Sequence, residues 1–353
     1  FSRYGPPCPE ALRRAGRPAL SRAMTRAGED MREVLARVDQ MGDTAGQARP
    51  IQLLRRVFAE QFIGPDDGRL GPAPAAPPGA VINPHEPEAQ WSTKHTLAPK
   101  GWTGFKLQVC ETAAETARAP REPTAAVITA VLTQPAITSD HGSLEPVLAE
   151  QAAAGTPAPA TVYADAGYIS GPALQRAEEQ AYELCGPVGA PPHSATRFAS
   201  DAFAVDLPGR RAVCPAGKTS VACSRITERG HAQAYYYFAW ASADCGGCPL
   251  AAQCLSRKKR QRFRTLQVGE GHMRIQARRQ LGQTPEYRRR MRRRNGIEGT
   301  ISELARGYGI RRARYRGLAK TALQMCLAAA ACNLRRWATR LRWLARIPSP
   351  AAA

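Results

Sequence analysis

The sequence predicts an α/β protein with a cysteine-rich insert in its core and a basic, helical C-terminal part. Three observations carry this. Strand-like and helix-like runs alternate between Gly104 and Val188, the order expected of an α/β core. Five of the ten cysteines fall between Phe198 and Leu266. From His272 onward the chain is Arg-rich and helical in its periodicity.

Residues 1 to about 62 read as basic helix, with apolar spacing at Leu53, Leu54, Val57, Phe58 and Phe62. Gly64 to Pro84 is rich in Pro, Gly and Ala and predicts a linker or exposed loop. Gly104 to Thr112 alternates like a half-buried strand, and Ala125 to Thr133 is a second, β-branched run. Leu144 to Ala153 predicts a helix, and Ala160 to Ala164 a short buried strand ending at Asp165. Pro172 to Gln180 predicts a helix and Tyr182 to Val188 a strand. The expected domains are therefore 1–82, 83–197, 198–266 (the insert) and 267–347. Near the C-terminus Leu323, Leu327, Leu334, Trp337, Leu341 and Leu344 form one stripe, with Arg335, Arg340, Arg342 and Arg346 mostly off it. Such a stripe is expected to pack into the core.

Composition narrows the function. Fifty Lys and Arg against 29 Asp and Glu give a formal charge of +21 over 353 residues, and the pI is near 10.2. That excess points to a polyanionic partner, since each cation set against a phosphate releases a condensed counterion. Arg dominates, and its planar fork suits phosphate. A hydrophobic fraction of 43% excludes a mostly disordered chain. No segment reaches the ~20 apolar residues of a membrane helix. The start lacks the apolar region of a signal peptide, so a cytoplasmic, nucleoid-associated protein with reduced cysteines is expected. Its first residue is Phe1, which reads as a processed or truncated chain or an incomplete gene.

Clustered cysteines under reducing conditions point to metal. Cys245-Gly-Gly-Cys248 is a knuckle that sets two thiolates on one ion; Cys254 follows, and Cys214 lies upstream in Cys-Pro-Ala-Gly-Lys. Cys214, Cys245, Cys248 and Cys254 are the expected structural Zn2+ ligands, with Cys223 as a substitute fourth. A closed four-thiolate site supports folding rather than chemistry. Cys8, Cys110, Cys185, Cys326 and Cys332 read as simple core residues. Asp165, in Val-Tyr-Ala-Asp-Ala-Gly-Tyr, ends a buried strand, where open α/β sheets gather metals and ligands. A turn or cap role is the alternative. Glu298 is an acid inside a basic helix, which the local sequence favours reading as a salt-bridging surface residue.

In order, the Gly-Phe-Lys strand, Tyr-Ala-Asp-Ala-Gly-Tyr, the cysteine insert and Arg-x-x-x-Glu resemble the DDE transposases of bacterial insertion sequences. The likeness is to the branch with a cysteine-rich insert between the second Asp and the Glu. It runs from about Asn83 to Leu344. Its most specific parts are Lys100 to Lys106, Tyr163 to Tyr168, Ile297 to Glu303 and Arg311 to Lys320. The resemblance implies an RNase H-like core in which three carboxylates hold two Mg2+ ions for DNA strand cleavage and transfer. It makes Asp165 the second carboxylate and Glu298 the third, and sets Arg294 against DNA phosphate. Lys106, Arg311, Arg312, Arg314, Arg316 and Lys320 are the other expected contacts to double-stranded DNA, which a homodimer would hold.

The chain also departs from the pattern. Met291 stands where a tyrosine is usual, and Ala305 where a Lys is. Glu86 replaces an Asp and Gln90 an Arg. The first catalytic Asp, in an Asp-Ser-Thr or Asp-Gly-Thr strand, does not occur before Asp165. The expectation is an N-terminally truncated transposase, inactive alone. The alternatives are a DNA-binding remnant without catalysis and a zinc-ribbon RNA-binding factor, for which only Tyr235 to Tyr237 offers a stacking platform.

Overall fold

Alternation and capping set the element boundaries. The computed structural model describes residues 16–64, 70–93, 101–113, 123–189, 191, 197–227, 233–256 and 261–346. The chain divides into two compact units. The first comprises residues 1–107, 133–138 and 311–327, and the second 108–132, 139–310 and 328–353.

In the first unit, α1 (Gly16–Gln40), a single turn at Asp43–Gly46 and α2 (Arg49–Gln61) account for the basic helical reading. Phe58 and Phe62 stack with ring centroids 5.6 Å apart. Glu60 accepts the Val81 N–H at 2.7 Å and Arg56 donates to the Gly79 carbonyl at 2.9 Å, which ties the Pro-rich stretch back onto α2. That stretch is irregular apart from β2 (Gly71–Pro72), antiparallel to β1 (Phe62–Ile63). Gln90–Thr93 forms β3, which the sequence did not announce; it pairs antiparallel with the start of β4 (Gly101–Glu111). β5 (Ile128–Pro135) completes a three-stranded sheet in the order β3-β4-β5, with residues 108–111 of β4 and 128–132 of β5 counted in the second unit.

In the second unit, α3 (Leu144–Ala153) leads to β6 (Thr161–Tyr163), α4 (Gly171–Glu179) and β7 (Glu183–Cys185). Two parallel strands need a crossover, and α4 supplies it. Ser170 caps α4 by accepting the Ala173 N–H. Leu144, Ile169, Ala173, Leu174, Ala177 and Leu184 close a core around this βαβ unit. The cysteine-rich stretch has its own core, built on Phe203, Ala212, Phe238, Trp240, Leu266 and Val268. Its strands are β8 (Ala204–Asp206) with β9 (Arg211–Val213), and β10 (Ala222–Thr227), β11 (Ala234–Ala239) and β12 (Thr265–Gly269) in that order. The short helix α5 (Ser242–Gly246) carries Cys245.

Four helices follow: α6 (His272–Leu281), α7 (Pro285–Met291), α8 (Gly296–Gly307) and α9 (Leu318–Leu344). Within the second unit, Ala329 and Cys332 of α9 pack with Leu304 and Ile128. Asn333 reads the β5 backbone as a strand would, donating to the Ile128 carbonyl at 2.9 Å and accepting its N–H at 2.8 Å.

Two expectations fail here. The Leu323 to Leu344 stripe does not enter the core: its six residues are 46% to 63% exposed, while Met325, Ala329, Cys332 and Arg336 form the buried face. The periodicity correctly placed the residues on one face, but α9 has two apolar faces and the core takes the other. Cys326 is likewise exposed rather than a core residue, because it lies on the outward side of the same helix. Cys185 and Cys332 are buried, Cys110 is partly buried, and Cys8 lies outside the described residues.

Candidate catalytic and nucleic-acid-binding site

The backbone brings Asp165 to the end of β6. The Ala164 N–H bonds the Cys185 carbonyl at 2.9 Å, extending the parallel ladder by one residue. Asp165 is extended (φ −73°, ψ 166°) and precedes a tight turn at Ala166–Tyr168. The two chains run so close that a Cβ on Gly186 would lie 2.3 Å from the Ala164 carbonyl, so glycine is required there. Tyr168 donates to Gln108, and burial, followed by Asp140, pushes its phenol well above the ordinary range. It therefore stays a neutral donor at physiological pH. Burial also pushes the Cys110 thiol up to about 11.

A basic run lies along this βαβ unit. Arg290 pairs with Glu183, and Arg294 with Asp165. Arg293 donates to the Tyr163 hydroxyl at 3.2 Å, and its guanidinium carbon lies 5.9 Å from that ring's centroid. The Asp165 side chain is still 62% exposed. Glu298 lies one helical turn beyond Arg294, in the first turn of α8, and is exposed. The structure thus joins Asp165 to Arg294 and brings in the segment that leads to Glu298. Arg294, expected on phosphate, has a carboxylate partner in the chain alone.

Behind Glu298 lies a buried network that the sequence did not suggest. Glu111, at the end of β4, accepts from Thr300, and Arg336 reaches Glu111 at 3.4 Å. The same guanidinium donates to Thr300 at 2.6 Å, to Glu303 at 2.9 Å and to the Ala126 carbonyl at 3.1 Å. Burial opposes the Arg336 charge, yet Glu303 holds its pKa above the ordinary value. Arg336 and Glu111 are only 8% and 9% exposed, so a bond to Thr300, two residues past Glu298, anchors α8. No local signal marks Glu111 or Arg336, whose separation is 225 residues.

Cys214, Cys245, Cys248 and Cys254 line one cavity in the insert, together with Trp240 and Arg264. Two turns present them. Gly217 (φ +77°) lets Cys-Pro-Ala-Gly-Lys fold back, with the Cys214 N–H on the Lys218 carbonyl at 2.9 Å. The Cys248 N–H reaches the Cys245 carbonyl at 3.4 Å. Burial raises the Cys254 thiol pKa; Arg264 opposes this, and the other three cysteines add to it. Cys223 is not at this cavity: it packs against the insert core from β10, paired with Phe238. Among the described residues no group of three or more His, Cys, Asp or Glu side chains is arranged to hold a metal ion. The four thiols share a cavity without forming such a group.

In the first unit, Lys106 donates to the Thr138 carbonyl at 2.6 Å. Arg311, Arg312, Arg314, Arg316 and Lys320 are exposed, with Tyr315 among them. Gln324 holds this loop by accepting the Arg314 N–H at 2.8 Å and donating to the Arg312 carbonyl at 3.0 Å. Glu86 and Glu88 accept the N–H groups of Gly317 and Leu318 at 3.1 Å and 2.7 Å, which caps α9. Lys100 lies outside the described residues. No described helix is long and apolar enough to cross a membrane.

Residues 213–338, just over a third of the chain, match the family model described as a transposase DDE domain. That match supports a DDE transposase of the insertion-sequence kind, an enzyme that acts on DNA. No curated protein and no solved structure matches the chain.

Proposed function

We propose that this chain is an insertion-sequence DDE transposase, with an RNase H-like core, a zinc-stabilised insert and a basic helical C-terminus. The observation that carries the reading is the Arg294–Asp165 pair. It joins the end of a half-buried parallel strand to the residue one turn before Glu298, across 129 positions of sequence. A shared site requires that convergence, and neither local sequence implies it. In this reading Asp165 and Glu298 are the second and third carboxylates. Lys106, Arg294, Arg311, Arg312, Arg314, Arg316 and Lys320 hold double-stranded DNA, and two copies act together on it.

Magnesium does not fit the arrangement as it stands. Asp165 is held by a guanidinium, and no third acid completes the group. The chemistry assigned to the chain's own residues is accordingly DNA holding and orientation. When a phosphate approaches, Arg294 exchanges the Asp165 carboxylate for the phosphate, whose paired oxygens suit the guanidinium fork equally well. Zinc fits better by donor chemistry, because Cys214, Cys245, Cys248 and Cys254 already share one cavity. Bound there it would crosslink the turns of the insert.

The test uses the full chain and duplexes carrying the ends of its own element. Salt-sensitive binding of those duplexes without nicking by the chain alone is the expected result, because no third acid completes a metal group among the described residues. Metal-dependent nicking that Asp165→Asn and Glu298→Gln each abolish would instead reveal a complete catalytic site and exclude the inactive remnant. Absence of salt-sensitive DNA binding would remove both readings.

A further inference from the structure

The exposed stripe on α9 has a stricter pattern than amphipathicity alone requires. Adding Ala330 to Leu323, Leu327, Leu334, Trp337, Leu341 and Leu344 gives successive steps of 4, 3, 4, 3, 4 and 3 residues. That is the 3.5-residue repeat of a coiled-coil seam, sustained over three heptads. A helix that merely covers a core surface follows 3.6 residues and a broader stripe. Here the core is served by the other face, where Met325, Ala329, Cys332 and Arg336 are buried. The seam faces solvent with nothing from the described chain over it: Leu334 and Trp337 are each 63% exposed.

We propose that this seam docks against the same seam of a second copy of the chain. Three arguments select that occupant. A 3.5-residue repeat is matched by a helix of the same repeat, and a second copy brings one of equal length. The exposed parts of the seven residues amount to roughly 700 Å² per copy, close to the about 800 Å² per partner of a standard stable interface. The flanking positions also permit self-pairing. Gln324, Cys326, Ala331, Asn333 and Ala338 are uncharged, and Arg340 is the only charged residue among them. An antiparallel pairing sets Arg340 opposite the partner's Asn333, so like charges do not face each other. It also sets Ala330 against the partner's Leu341 and Trp337 against the partner's Leu334, which evens the thickness of the layers. The proposal rests on the homodimer part of the function proposed above. It needs neither DNA nor catalysis, so it stands or falls separately from the DNA chemistry.

Arg335 and Arg342 lie beside the seam on both copies. Their mutual repulsion is screened by salt, so self-association should tighten as ionic strength rises. An acidic partner helix would show the opposite dependence. The test is sedimentation of the full chain without DNA, over a range of concentration and salt. The expected mass is twice 38.2 kDa, approached more readily at high salt. Leu334→Glu with Leu341→Glu should return it to 38.2 kDa, with the thermal melt of wild-type chain diluted to monomer, because those side chains support nothing within the fold. A wild-type chain that stays at 38.2 kDa at every concentration overturns the proposal. So does a doubly substituted chain that still dimerises, or one that melts earlier with no change in mass. That last result would mean the seam is covered by the chain itself.

Discussion

Arg336→Leu should be among the most damaging substitutions in the second unit. Its guanidinium makes bonds to Glu303, Thr300, Glu111 and the Ala126 carbonyl, and both it and Glu111 are over nine-tenths buried. Removing one partner of such a pair leaves an uncompensated charge in a poorly solvated place, at a cost of about 3–5 kcal/mol. Glu303 is 32% exposed and can rehydrate, so most of the loss falls on Glu111. The physics therefore predicts rescue: Arg336→Leu combined with Glu111→Leu removes the stranded charge and replaces it with apolar volume. The double variant should recover more than half of the loss. The assay is urea unfolding of the four proteins of the cycle, read as midpoints at constant slope. A single variant costing less than about 1 kcal/mol, or a double variant no better than the single, would refute the claim that Glu111 depends on Arg336.

Arg314→Ala with Arg316→Ala should lower the slope of log affinity against log salt by about two, uniformly across DNA sequences. A slope equal to wild type in a filter-binding titration would remove the loop from the DNA surface. Purified chain should carry zinc in a one-to-one ratio by elemental analysis, lost in Cys248→Ser. Because burial keeps the Cys254 thiol protonated, zinc uptake should release protons and weaken as pH falls. Metal-free chain with an undiminished melt would exclude the zinc assignment. His272, at the start of α6, has its pKa lowered by burial and then by Arg279. The unfolded chain accepts a proton near pH ~6.5 that the folded chain resists, so this stability is present above that pH and lost as pH falls from it through the folded value. His272→Gln should flatten the acid limb of the melting temperature; an unchanged limb would assign it to other groups.

Much of the core was legible because its signals are local. The spans expected for the first long strand, the helix at 144–153 and the β-strand before Asp165 lie within a few residues of those observed. Ser170 and Thr284 cap their helices through side-chain bonds of 3.3 Å, a device written in one or two residues. β3 was not legible, since Gln90–Thr93 is short and mostly polar and exists as a strand only through its pairing with β4. The second unit's buried network was hidden for a different reason. Glu111 at a strand end reads as a surface acid, and what buries it comes from residues 300 and 336.

The stripe on α9 shows where periodicity stops being informative. A repeat of apolar residues states that one side of a helix avoids water; it does not state which surface provides the cover. On α9 two sides carry such a repeat: Met325, Ala329, Cys332 and Arg336 step by 4, 3 and 4 residues, as the exposed set does. Spacing therefore does not tell them apart, and only the fold shows that the first set is buried and the second is not. The same limit applies to charge. A total of +21 points to a polyanion but does not say which cations meet it. Arg290, Arg294 and Arg336 each have carboxylate partners inside the second unit. Phosphate that engages Arg294 must compete for it with Asp165 or share it, whereas it meets the exposed Arg311 to Lys320 loop directly. The loop is therefore the expected source of general DNA affinity, and Arg294 the cation whose contact depends on a phosphate placed at the end of β6.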